Sequence, residues 1–182
     1  MVRAILDGSK TQTRRVVKGA GDMEFDKHDP TYGPYWLPYM TGVPESVKVR
    51  CPYGAPGDRL WVRETWAIGI EGCDKGISYR ADHVDARGDG PANPMKWRPS
   101  IFMPRWASRI LLEITEIRVQ RLQDISPDDA EAEGVDVIGC AFPRGGSIRI
   151  DAFARLWESI NGAGSWDANP WVWAITFRRL QP

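Results

Sequence analysis

Six residues near the start of the chain, Lys10-Thr-Gln-Thr13-Arg14-Arg15, set a primary amine, a hydroxyl and two guanidinium groups on one short segment. Two chemistries are open to such a set. Lysine and arginine make charge-assisted hydrogen bonds to phosphate, and arginine also forks onto a base edge. A lysine near a threonine can instead be the base that activates a hydroxyl nucleophile, provided burial or a neighbouring cation lowers its pKa toward neutrality. Arg14 or Arg15 could supply that push. Side chains alternate along an extended segment, so Arg15 shares a side with Thr13 and Arg14 faces away. That makes Arg15 the stronger site residue and Arg14 a residue of the rim. Structural uses compete with both chemistries: Lys10 can pair with a helix-end carbonyl, and Arg15 with a core carboxylate such as Glu64.

The elements that must position these groups are legible on either side. Val2, Ile5 and Leu6 recur at helical spacing, and Gly8 supplies a C-terminal cap, so the segment leaves a helix end as extended or loop chain. Residues 19–58 are rich in Gly, Pro, Tyr and Asp without periodicity and read as a long loop insertion; residues 82–100 read the same way. Pro56-Gly57-Asp58 makes a turn into a strand over residues 59–66. Residues 77–80 predict a short strand, and Ile101-Phe-Met a short strand or bulged segment. Over residues 109–122, Ile110, Leu112 and Ile114 alternate in one phase and Ile117 and Val119 in the other, which predicts a β-bulge or barrel corner near Thr115-Glu116. Ser126-Pro127-Asp128-Asp129 opens a helix that ends near Gly134. Phe153, Leu156, Trp157 and Ile160 form a second apolar stripe, a core stripe rather than a cofactor box, ending at Asn161-Gly162. Trp171, Trp173, Ile175 and Phe177 alternate as a closing strand. Nothing repeats as βαβ, so the expected class is α+β, with a small curved sheet or barrel in a single domain over residues 1–182.

Composition narrows the function classes. The 24 bases balance 24 acids, which excludes a uniformly basic coat for nucleic acid. Charge is unevenly placed: residues 1–18 hold Arg3, Lys10, Arg14, Arg15 and Lys18 against Asp7, and residues 124–136 hold six acids and no base. Such asymmetry can make a local anion site on a neutral protein, or two solvated faces. Nine tryptophans are expected in the core or in cleft walls, with Trp61, Trp66 or Trp97 available to stack a base. Cys51, Cys73 and Cys140 are odd in number and far apart, and His28 and His83 are isolated, so reduced thiols in a cytoplasm fit better than disulfides or zinc. No apolar run approaches membrane-spanning length, and no signal-peptide pattern opens the chain.

The ordered set of segments resembles the ASCH family. The carrying residues are the helix followed by Gly8-x-Lys10-x-x-Thr13-x-Arg15, and the turn and strand Pro56-Gly57-Asp58-x-Leu60-x-Val62. The acidic helix ending Ala130-Glu-Ala-Glu133 and the last strand from Trp171 to Leu180 match as well. Cys51-Pro-Tyr-Gly54, Arg98-Pro-Ser-Ile-Phe-Met-Pro-Arg-Trp-Ala-Ser108 and Trp157-x-Ser-Ile-Asn-Gly-Ala-Gly-Ser-Trp166 resemble a phage- or prophage-borne branch. The resemblance covers nearly the whole chain. It implies a PUA-like small mixed β-barrel with short flanking helices. Family members usually carry a strand ahead of the first helix, whereas here the chain starts almost inside that helix; either another segment takes that strand's place, or, if it is missing, a barrel edge is open for a partner chain to cover.

The resemblance also implies RNA or a modified nucleoside as ligand; no cofactor and no metal are expected. It would lie in a cleft between the Gly-x-Lys-x-x-Thr-x-Arg segment and the acidic helix. Lys10, Arg14, Arg15, Glu64, Trp61 and Trp66 are the binding candidates. Some small relatives resemble amide hydrolases acting on acetylated cytidine, and matching motif positions gives Lys10, Thr13 and Glu133 as their catalytic set. Glu133 would either protonate the leaving amine or hold Lys10 charged, and these roles exclude each other. Glu131 or Asp129 could face the site in its place. A metal-assisted ribonuclease branch would use the acid cluster, which also reads as a helix-dipole feature. The third class is a phage assembly or interaction protein acting through its Trp-rich surface and the 19–58 loop.

Overall fold

The computed structural model describes residues 1–19, 50–68, 76–83, 96–136 and 147–180, with strand backbone also at 24–25, 35–36, 38–39 and 49. In chain order the elements are α1 (Val2–Leu6), β1 (Gln12–Val16), β2 (Glu24–Phe25), β3 (Tyr35–Trp36), β4 (Pro38–Tyr39) and β5 (Val49–Arg50). Then come β6 (Arg59–Trp61), β7 (Trp66–Ile68), β8 (Ile77–Tyr79), β9 (Leu111–Arg121), α2 (Pro127–Ala132), α3 (Ile148–Asn161) and β10 (Trp171–Leu180). Most of the two predicted loop insertions, together with His28, Cys73 and Cys140, lies outside the described residues.

One antiparallel sheet, in the order β1-β10-β9-β6, curls into half a barrel, and β2-β4, β3-β5 and β7-β8 form separate ribbons. The mixed helix and strand content is of the expected α+β kind. The long pair β9-β10 is the spine. Its register slips by one residue where Thr176 opposes Glu116 but Phe177 opposes Ile114, leaving Thr115 as the extra residue. This is the predicted bulge. It turns Ile114 and Ile117, three apart, onto one core beside Val119, Trp171, Trp173 and Ile175. A second core forms where Phe153 and Trp157 of α3 pack on Leu122, Ala130 and Val172, and a third where Ile5 of α1 meets Ile110, Leu112 and Phe177.

Two sequence expectations fail. The strand over 59–66 stops at Trp61, because the Glu64 N–H is taken by Met103 Sδ and the Trp66 N–H by the Arg98 carbonyl. The chain thereby leaves the main sheet for the β7-β8 ribbon. The segment Ile101-Phe-Met is not a strand. Pro99 and Pro104 each precede a single 3₁₀ turn, over Ser100–Phe102 and Arg105–Ala107. Proline has a fixed φ and no N–H to give a ladder, which favours such turns over pairing.

Candidate functional site

Lys10 stands between α1 and β1, where Gly8 reverses the chain at φ 84°. Its N–H donates to the Ala4 carbonyl at 2.8 Å, and the next N–H, of Thr11, donates to the Ala132 carbonyl at 2.8 Å. Lys10 thus forms a one-residue antiparallel bridge with Glu133 at the end of α2. The start of α2 is built as its sequence demands: Ser126 Oγ accepts from the Asp129 N–H at 3.0 Å, and Pro127 takes the first turn. Asp129 and Glu133, four apart, then share the helix face toward β1. Glu131 is exposed and pairs with Arg149 instead.

The side chains complete a buried ionic network. Lys10 Nζ donates to Glu133 Oε2 and to the Glu133 backbone oxygen, each at 2.7 Å, and both residues are about 5% exposed. The Arg14 guanidinium, fully enclosed, donates to Gln12 Oε1 (2.6 Å), Glu133 Oε1 (3.2 Å) and Asp129 Oδ2 (2.9 Å). Asp129 also accepts from Arg118 and from Gln12 Nε2. Lys10, Arg14 and Arg118 thus meet Glu133 and Asp129, Arg118 also pairs with Glu116 at 3.5 Å, and exposed Arg15 lies beside them. Burial pulls the Lys10 amine below the ordinary lysine range; Glu133 opposes this, and Arg15 and Arg14 reinforce it. The Glu133 carboxylate, 2.7 Å away, favours the charged ammonium and so opposes that burial. Burial likewise lowers Arg14 against Glu133 and Asp129. Burial works to raise the Asp129 carboxyl, but Arg118, Gln12 and Arg14 outweigh it and hold it below the usual carboxylate range.

A cleft of about 590 Å³ opens beside this network. Lys10, Thr13, Arg14 and Arg15 line one side, residues 133–136 the floor, and Phe153, Leu156, Trp157 and Ile160 of α3 the other side. Arg14 lies over the Phe153 ring, 5.6 Å from its centroid. Two buried donors on residues of this cleft, Arg14 Nε and Trp157 Nε1, have no hydrogen-bond partner among the described residues.

Side-chain alternation along β1 holds from Gln12 to Arg15, with Gln12 and Arg14 buried, Thr13 half-buried and Arg15 exposed, and breaks at exposed Val16. The network is built from the Arg14 side, however, the side that sequence reasoning gave to the rim. Among the described residues Arg15 donates only to the Arg14 carbonyl, at 2.9 Å. No hydrogen bond joins Thr13 Oγ1 to Lys10 Nζ. The acidic helix is ion-paired directly to β1; the cleft of about 590 Å³ lies between β1, the end of α2 and α3, and a second cavity, of about 760 Å³, lies between Gly8, Ser9 and Thr11 and the α2 residues Asp128, Glu131 and Ala132.

Glu64, Trp61 and Trp66 do not line this cleft. Glu64 is buried and takes both oxygens' hydrogen bonds from Arg109, which also chelates Asp82. Burial works to lower Arg109, and those hydrogen bonds raise it overall. Trp66 is buried, and Trp61 carries Arg63 and Arg105 over its ring. Sequence reasoning missed Gln12 and Arg118 in the network and Phe153 and Trp157 in the cleft; the stripe on α3 pointed only to a core. Among the described residues no group of three or more His, Cys, Asp and Glu could hold a metal ion. No helix among them is long and apolar enough to cross a membrane.

No family model, curated protein or solved structure matches the chain.

Proposed function

We propose that the chain is a nucleoside- or RNA-binding domain of the ASCH type with a PUA-like half-barrel, of a phage-borne branch and acting in the cytoplasm. One observation carries this reading: Lys10, Thr13, Arg14, Arg15 and Glu133 all line a single cleft whose facing wall is Phe153, Leu156 and Trp157. A cationic and hydroxylic side opposite an aromatic and aliphatic side suits a planar base with polar edges and an anionic or hydroxylated tail. The volume falls within the range of about 300–1,000 Å³ usual for small-molecule sites. Calorimetric titration of plain nucleosides and nucleotides tests it with Thr13→Ala and Arg15→Ala, side chains outside the buried network. Binding that weakens in both variants supports the reading, and absence of binding by every nucleoside and nucleotide overturns it.

The hydrolase reading has one favouring observation, the burial that lowers the Lys10 amine beside Glu133. At rest the pair works against it, because the Glu133 carboxylate favours the charged form of Lys10, and a charged lysine is no base for Thr13. A ligand would have to displace Glu133 from Lys10 first. Incubation with N-acylated nucleosides, followed by chromatography for the free amine, decides between binding and cleavage. Turnover by the native chain and none by Lys10→Ala, its fold checked by circular dichroism, would establish hydrolysis. No turnover of any acylated substrate rules it out.

A further inference from the structure

A second surface, at the opposite edge of the sheet from β1, combines aromatic rings and cations in a different way. The segment 96–109 holds Lys96, Arg98, Arg105 and Arg109 and no acid. Its two 3₁₀ turns are pinned from within: Met103 and Ala107 are buried, Ser108 Oγ donates to the Val62 carbonyl at 2.9 Å, and Trp66 and Arg98 exchange backbone hydrogen bonds at 3.2 and 2.7 Å. Pinning through Met103 and Ala107 turns the residue before each outward. Phe102 is 70% and Trp106 66% exposed, on turns that are otherwise fixed. An exposed aromatic pair on an anchored segment forgoes burial that the fold could have used.

The cations are arranged around these rings. Arg63 and Arg105 both lie over Trp61, at 4.8 and 5.7 Å from its centroid, and Arg98 lies over Trp66 at 5.1 Å, while Trp106 meets Trp66 edge-on at 5.9 Å. Arg109 is occupied by Glu64 and Asp82, whereas Arg63, Arg98 and Arg105 pair with no carboxylate among the described residues. Arg63 also donates from Nη1 to the Ile101 carbonyl at 3.5 Å; stacking orders each guanidinium while sparing its remaining N–H groups for an anion.

We propose that this ridge binds a single-stranded nucleic acid, with Phe102 and Trp106 stacking bases and Arg63, Arg98 and Arg105 taking phosphates. Charge selects the occupant: three arginines without a carboxylate partner among the described residues call for a polyanion, and the exposed rings of Phe102 and Trp106 call for one with unstacked bases. A duplex hides its bases and offers those rings nothing. The ridge is independent of the β1–α3 cleft and stands whether or not that cleft holds a nucleoside.

Fluorescence anisotropy with labelled 12-nucleotide oligo-U and oligo-dT, and a duplex of equal length as control, tests the assignment. The expected result is single-strand binding that exceeds duplex binding. Its log–log salt slope should be about −2, from three phosphates neutralised on a single strand. Phe102→Ala with Trp106→Ala should weaken it about tenfold or more, given the usual cost of losing a stacked base. Arg105→Ala should flatten the slope by about 0.7. Stronger binding of one oligonucleotide identifies the strand as RNA or DNA. Thermal melts confirm the fold of each variant. The proposal is overturned if neither oligonucleotide binds at low salt or if the aromatic double variant binds as well as the native chain. It is also overturned if sedimentation shows a native dimer that this variant dissolves, which would make the ridge a protein interface.

Discussion

Lys10 and Glu133 are 123 residues apart in sequence and hold each other by side chain and main chain alike, the ammonium reaching the carboxylate and the carbonyl of the same residue at 2.7 Å. The second contact matters because a carbonyl cannot rotate away. It fixes Lys10 to the end of α2 and not merely to a charge. The other carboxylate oxygen of Glu133 receives Arg14 at 3.2 Å, so one acid neutralises two cations that have left water.

The two partners are therefore unequal under mutation. Lys10→Met leaves Glu133 with Arg14 as its counter-ion. Glu133→Leu leaves Lys10 with no carboxylate and Arg14 with Asp129 alone. Removing one member of a buried pair costs about 3–5 kcal/mol. Glu133→Leu is expected at or above the top of that range and Lys10→Met clearly below it. Urea denaturation measures both, and equal losses would show that Arg14 does not depend on Glu133.

Gly134 is fitted to this pair. Its φ is 72°, and a Cβ placed there would stand 2.8 Å from Lys10 Cβ and 3.1 Å from Ala4 Cβ. The left-handed backbone and the close approach both exclude a larger residue. Gly134→Ala is expected to lose about 1–3 kcal/mol, lowering the melting temperature by about 2–4 °C per kcal/mol in a chain of this size. Calorimetric melting checks this, and an unchanged midpoint would refute the fit.

Asp129 gives the network a pH signature. Its folded pKa lies below the ordinary value of 3.8, so the unfolded chain binds the proton more readily. The associated stability is complete above the unfolded pKa and is lost as pH falls through the folded one. Denaturation midpoints should accordingly show no contribution from this residue to any change between pH 7 and 5, and a fall below about pH 4. Asp129→Asn should be less stable at pH 7 and show a shallower acid limb. An identical acid limb in the variant would dismiss Asp129 as its source.

Local signals in the sequence carried far. Ser126 and Pro127 announced α2, the phase change at Thr115 announced the bulge, and the alternation ending at Phe177 announced β10. These depend on residues within one or two turns of each other. The network was only half legible: Lys10 and Glu133 came together through the family resemblance, and side-chain alternation along β1 was foreseen. That Arg14 rather than Arg15 would join them was not, because the choice depends on where α2 docks, and no local pattern encodes docking. Glu64 shows the same limit. Its partner Arg109 lies 45 residues away, across β7 and β8. The turns at 100–107 did have a signal, the spacing of Pro99 and Pro104, which was outweighed by the β-branched and aromatic residues between them.

Arg14→Lys separates charge from shape. The guanidinium is planar and reaches three acceptors on Gln12, Glu133 and Asp129 while its face lies on Phe153. An ammonium keeps the charge but is a point donor, without the fork or the stacking face. Hydrogen bonds to charged groups contribute about 1.5–3 kcal/mol each, so losing at least one of the two carboxylate contacts should destabilise the fold by about 2–4 kcal/mol. Arg118→Lys is the control. Arg118 also binds Asp129 but is 36% exposed, where a replacement ammonium stays hydrated, and a change within about 0.5 kcal/mol is expected. Guanidinium chloride would screen the comparison, so urea is the denaturant to use. Equal effects of the two substitutions would mean that Arg14 acts as charge alone, and the cleft wall it forms with Phe153 would then tolerate lysine.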